Sequence, residues 1–131
     1  MARPIEDELR TQLTDAVDAA THPQRVPVNV YETDEALVVV APLPGVMGDD
    51  VTVTVERGRV TIEAPMRTAA PKRYLVHEWH YGPYRRELEV LDGFGAAATA
   101  AFGNGQLSLH LSRGEATERY TVQPGQQETS R

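Results

Sequence analysis

Short runs that alternate apolar and polar residues, cut by tight turns, fill the middle of this chain and confine it to β structure. Val51-Thr52-Val53-Thr54-Val55 alternates strictly, Arg57-Gly58 follows as a turn, and Val60-Thr61-Ile62-Glu63-Ala64 alternates again. Successive strand residues point to opposite faces, so the pair reads as a hairpin with one apolar and one polar face. Leu107-Ser108-Leu109-His110-Leu111 repeats the pattern behind Gly103-Asn104-Gly105, itself a strong hairpin signal.

The flanking segments extend this reading. Val28 and Val30 alternate with Asn29 and Tyr31, and Asp34-Glu35 is a turn. Ala36-Leu37-Val38-Val39-Val40-Ala41 is a continuous apolar strand suited to burial on both faces, and Pro42-Leu43-Pro44-Gly45 ends it. Tyr74 to Glu78 reads as a short strand beyond a loop at 65–73, and Arg85 to Leu91 places Leu88 and Val90 on one face. Ala96 to Phe102 is open between helix, which the alanines favour, and strand, which the neighbouring pattern favours. Seven or eight short strands with turns every eight to twelve residues predict an all-β, immunoglobulin-like antiparallel β-sandwich.

The two ends differ from this core. Ile5, Leu9, Leu13 and Val17 recur every four residues, which predicts an amphipathic helix over 3–20 that stops before Pro23. Residues 1–25 therefore read as a partly helical N-terminal arm, 26–113 as the domain, and 114–131 as a flexible C-terminal tail. The tail is polar and rich in Gln, Gly, Thr and Ser, with Tyr120-Thr121-Val122 as its one candidate for order.

Composition removes several function classes. The chain of 131 residues is about right for one domain with short tails, and 40% of it is apolar, enough for a real core. It contains no cysteine, which excludes disulfide scaffolds, Cys-based zinc sites and thiol nucleophiles and fits a reducing compartment. A net charge of −6 argues against nucleic-acid binding. The acidic start, Glu6-Asp7-Glu8, is unlike a signal peptide, and the apolar run from Ala36 to Met47 is broken by two prolines and is short of the ~20 residues of a membrane span. These features predict a soluble, cytoplasmic protein with no membrane partner.

No constellation supports catalysis. No glycine is followed by Lys-Ser or Lys-Thr at phosphate-loop spacing, so nothing points to ATP. His77 and His80 are three apart, which on a strand turns them to opposite faces, away from a shared metal ion. Ser108, Ser112 and Ser130 sit in no nucleophile elbow, and Asp49-Asp50 is a solvated turn. The chain is read as a non-enzyme without cofactor or metal. Charge is more informative. Val26 to Glu56 holds six acids and no Lys or Arg, whereas Met66 to Leu88 holds five basic residues against Glu78 and Glu87. Either a basic loop meets an acidic strand region, within or between chains, or these are two solvated faces.

Three ordered motifs give the chain a family likeness. Ala41-Pro42-Leu43-Pro44-Gly45-Val46, followed by Asp49-Asp50-Val51, is similar to a strand ending in Leu-Pro-Gly-Val and an acidic pair. Glu78 with Tyr81-Gly82-Pro83-Tyr84-Arg85-Arg86 is similar to Tyr-Gly-x-Phe-x-Arg, and Ala100-Ala101-Phe102-Gly103-Asn104-Gly105-Gln106-Leu107 to Ala-x-x-x-Asn-Gly-x-Leu. In this order, Val28 to Arg113 resembles the α-crystallin domain of small heat-shock proteins. The chain departs from the pattern at Ser112-Arg113, where the family has Pro-Lys, and at Tyr120-Thr121-Val122, where it has Ile-x-Ile or Ile-x-Val. A tyrosine in the first position reads as a poor plug for an apolar slot.

The resemblance implies an ATP-independent holdase that binds unfolded client proteins and prevents their aggregation, working as a homodimer or small homo-oligomer. It implies a dimer interface in which Tyr74, Val76 and Glu78 of one chain add to Val28 and Val30 of another, with Arg86 aligned to the family's interface arginine and paired to a carboxylate or carbonyl. It also implies a groove for a tail motif or client segment, for which Val51, Val53, Val55, Ala98 and Ala100 are candidates, although the three valines read more readily as plain core. Alternatives are a co-chaperone binding module of the CS-domain type and a structural accessory subunit of an assembly such as a gas vesicle.

Overall fold

The computed structural model describes residues 24–65, 72–78 and 83–125, and the backbone of 127–129. Nine strands run β1 (Asn29–Glu32), β2 (Ala36–Pro42), β3 (Thr52–Glu56), β4 (Arg59–Ala64), β5 (Tyr84–Glu89), β6 (Phe94–Gly103), β7 (Gln106–Arg113), β8 (Tyr120–Val122) and β9 (Gln127–Thr129), with one 3-10 turn at Gly48–Asp50. They form two antiparallel sheets, β1-β2-β7-β6-β9 and β5-β4-β3-β8. The expected sandwich is what the chain makes, and no α-helix occurs among the described residues. The helix expected over 3–20 lies outside them.

Alternation explains the core. Val53, Val55, Val60 and Ile62 from one sheet face Leu37, Val39, Leu107, Leu109 and Leu111 from the other, all essentially without solvent exposure. The outward residues of β3 and β4 are Thr52, Thr54, Glu56, Arg59, Thr61 and Glu63, as the period-two pattern requires. Ala96 to Phe102 resolves as strand within β6, with Ala98 and Ala100 buried between the sheets. Pairing with the strictly alternating β7 overrides the helix preference of alanine. The β6–β7 turn carries Asn104 at φ 52° and Gly105 at φ 74°, the two left-handed residues of a type I′ hairpin. Its Gly105 carbonyl accepts from Leu43 N at 2.8 Å, which pins the Pro-rich exit of β2.

Arg113, where the family likeness breaks, ties the end of β7 to the β1–β2 turn. It donates to the carbonyls of Asp34 at 2.8 Å and Thr33 at 3.3 Å, and its guanidinium lies 4.9 Å from the centre of the Phe94 ring.

Two expectations differ from the structure. Tyr74 to Glu78 forms no strand within the chain. A strand needs an edge to pair with, and this segment pairs with none of the described strands. Residues 114–129, read as a mostly flexible tail, carry β8 and β9. Val122 and Tyr120 of β8 sit opposite Val53 and Val55 of β3, and β9 pairs with Ala97, Ala98 and Thr99 of β6. The single tail signal in the sequence, Tyr120 and Val122 two residues apart, marks β8, whereas the polar Gln127-Glu128-Thr129 gave none.

Tyr120 combines a partly covered ring with a paired hydroxyl. Its ring is half-buried and its hydroxyl donates to the Gly95 carbonyl at 2.5 Å, so the polar tip is satisfied at the rim. Burial pushes its pKa up from 10.0 to about 12. A raised acid pKa favours the neutral form in the folded state, so this contribution is intact below pH 10 and is lost as pH rises from 10 to 12. The expected outcome is release of β8 over that window, followed by the Val122 methyl resonances, with the β6–β7 hairpin still folded. In Tyr120→Phe the alkaline step should vanish, and the lost hydrogen bond should lower stability at pH 7 by about 0.5–1.5 kcal/mol.

Candidate functional site

The sandwich has two flanks where the edges of its sheets come together. One flank is formed by β1 and β5, the other by β3 and β6.

β1 is an edge strand that pairs only with β2 among the described strands, and all four of its residues are exposed. Val30 is 44% and Tyr31 52% exposed. Unpaired N–H and C=O groups beside exposed apolar side chains form a template for a further strand. The beginning of the neighbouring β5 is already covered by Gln24, whose N–H donates to Pro83 at 2.7 Å and whose carbonyl accepts from Arg85 N at 3.3 Å. Between β1 and β5 lies a concavity of about 400 Å³ lined by Arg25, Pro27, Val28 and Arg86. Arg86 faces inward opposite Ile62, and its Nη1 donates to the Val26 carbonyl at 3.0 Å. The carbonyl is thus its recorded partner, one of the two kinds expected. Arg85 faces outward and makes a 2.6 Å ion pair with Glu87 on the surface.

The loop residues expected at the dimer interface pair with none of the described strands of their own chain. Leu75 is 90% and Val76 71% exposed, Glu78 is exposed, and Tyr74 stacks flat on His77 at 4.3 Å between ring centres. Val28 is half-buried against the core while Val30 reaches solvent. Leu75 and Val76 thus put two large apolar side chains next to one another into solvent.

The β3/β6 flank has the opposite character. Val51, Val53, Val55, Ala98 and Ala100 are all 0–2% exposed. They are floor and core together: β8 lies along β3, Gly125 N donates to the Ala100 carbonyl at 2.8 Å, and β9 continues along β6. The chain's own tail fills the place expected for a tail motif. Sequence reasoning missed Gly95, whose carbonyl receives Tyr120 and whose φ of 112° and 3.3 Å approach of a Cβ to Val55 leave room only for glycine. It also missed Arg25 and Pro27 beside Arg86.

No group of three or more His, Asp or Glu side chains is placed to hold a metal among the described residues, and no described helix is long and apolar enough to cross a membrane.

Comparison with known proteins agrees with this geometry. The "18 kDa heat shock protein" of Streptomyces albus G is 28% identical over 129 residues, covering 95% of this chain and 90% of that one. The "18 kDa antigen 1" of Mycobacterium avium is 28% identical over 106 residues, 79% of this chain and 72% of that one. Among solved structures, the small heat-shock protein of Xylella fastidiosa superposes with a TM-score of 0.60 at 26% identity, over 77% of this chain and 96% of that one. HspA from Xanthomonas axonopodis shares the fold with a TM-score of 0.62 at 24% identity, over 69% and 94% of the two chains. The profile of the Hsp20/alpha crystallin family matches residues 29–124, and the chain belongs to that family of small heat-shock proteins.

Proposed function

We propose that this chain is a cytoplasmic, ATP-independent holdase that captures non-native proteins and keeps them from aggregating. The observation that carries the reading is the unpaired β1 edge, with Val30 and Tyr31 exposed on it, in a family of small heat-shock proteins. Unfolding proteins expose apolar side chains and unpaired strands, and a sheet edge with apolar neighbours binds both by strand addition and area burial. Such contacts recognise the non-native state itself, so no nucleotide cycle is needed. Three parts divide the work: the arm at 1–25, the domain from 26, and the tail from 114.

The resting unit in this reading is a homodimer. Tyr74, Val76 and Glu78 of one protomer add as a strand to Val28 and Val30 of the other, which covers the exposed Leu75 and Val76 and caps β1. The loop is basic and the β1–β3 region acidic, so encounter is steered in the same sense. Presence of this loop segment favours the reading over a CS-domain-like module, which lacks the loop strand.

Light scattering from a heat-denaturing client, without nucleotide, tests the activity. Scattering should fall progressively up to an equimolar ratio of this chain and be unaffected by added ATP. Unchanged scattering at excess protein would remove the holdase reading.

Shortening 67–78 to a tight turn should give folded monomers by sedimentation. A dimer that survives the deletion would place the interface elsewhere.

Arg86→Gly should lower stability by about 1.5–3 kcal/mol, the range for a hydrogen bond to a charged group, and weaken the dimer. Arg85→Gly should cost less than about 1 kcal/mol, because an exposed pair contributes little. Equal effects in urea titrations would reduce Arg86 to a surface charge.

A further inference from the structure

Among the described strands β1 is held on one side only, by β2, and two-stranded ribbons twist more than the middle of a sheet. Its end at Glu32 runs into the turn at 33–35, which is closed from within. Thr33 N donates to the Ala36 carbonyl at 2.8 Å, and the Thr33 hydroxyl accepts from Ala36 N at 3.0 Å and Glu35 N at 3.3 Å. None of these bonds uses the carbonyl of Thr33 or Asp34. Both carbonyls go to one side chain at the far end of β7. Arg113 Nε donates to Asp34 at 2.8 Å and Nη2 to Thr33 at 3.3 Å, and the same Nη2 lies 3.8 Å from Glu32 Oε1. Phe94 is opposite Arg113 in the β6–β7 pair, and its buried ring backs the guanidinium at 4.9 Å. Glu32, Thr33 and Asp34 are thereby tied through one planar group to the core.

We propose that Arg113 is the positioning residue for strand addition at β1: it fixes the twist of β1 against β2, and with it the line of N–H and C=O groups that an arriving strand must match. This role rests on the reading of β1 as the receiving edge. A guanidinium presents Nε–H and Nη2–H as a rigid fork that meets two neighbouring carbonyls at once, and its flat face stacks on a ring. An ammonium at the same place meets carbonyls from a single atom and has no plane to stack. The Arg113 and Glu32 side chains are 54% and 51% exposed, so their pairing adds little to overall stability. Strand addition is more demanding. Each hydrogen bond weakens steeply as its angle closes, and an edge turned out of line misaligns several at once.

Full-length Arg113→Met and Arg113→Lys test this by sedimentation over a dilution series and by amide hydrogen exchange at high and low protein concentration. In wild type, exchange at Asn29 to Glu32 should slow as dimers form. Arg113→Met should raise the dimer dissociation constant at least tenfold, while exchange at Gln106 to Leu111 changes less than threefold. Arg113→Lys keeps the charge without the fork and should still weaken the dimer at least threefold. Should Arg113→Met not fold, the lysine variant decides on the same measurements. A smaller loss in either folded variant, or exchange accelerated alike in β1 and at Gln106 to Leu111, overturns the positioning role and leaves the receiving edge in place. If exchange at Asn29 to Glu32 in wild type is indifferent to concentration, β1 receives no strand from a second copy, and the reading of that edge falls together with the role of Arg113.

Discussion

A sandwich of two open sheets has four edges, and each edge carries a row of peptide groups that need partners. The rest of this structure follows from how those rows are covered. The β3 and β6 edges are capped by β8 and β9 of the same chain. The β5 edge is covered at its start by Gln24. Each capping strand becomes an edge in turn, and β1 is set apart by the exposed apolar side chains of Val30 and Tyr31. The molecule is thus asymmetric, with the chain's own tail strands along one flank and exposed apolar side chains along the other.

The asymmetry is set by what lies between the sheets. The inward faces are Val, Ile and Leu on the central strands, with alanine where β6 approaches the opposite layer. These dry contacts hold β3 and β6 at a fixed separation, which lets one short tail reach both. Arg113 holds the other end by fastening the turn that presents β1. The same rigid layer therefore closes one flank and displays the other.

The parts legible in the sequence were those governed by local period and turn chemistry. Val51 to Ala64 and Gly103 to Leu111 could be read as hairpins because alternation and turn residues specify them without reference to distant chain. Ala96 to Phe102 could not be decided locally, since its partner β7 determines its state. Tyr74 to Glu78 has strand composition but pairs with none of the described strands, so propensity alone predicted an element that the structure does not form. The tail failed in the other direction. Its polar composition suggested freedom, while its backbone finds two ready edges, and hydrogen bonding to an edge is indifferent to side-chain polarity. Arg86 was recognised as inward and in need of a partner, but the Val26 carbonyl that receives it belongs to a main chain that no motif marks.

Because β8 and β9 belong to different sheets, the tail cannot find both of its seats until the layers have stacked. The β3–β4 and β6–β7 hairpins close over two-residue turns and can form early, whereas β2 must wait for β7, about seventy residues further along, and loop closure over that distance is slow. The double seating of the tail therefore depends on the stacking of the two layers and not on either hairpin alone.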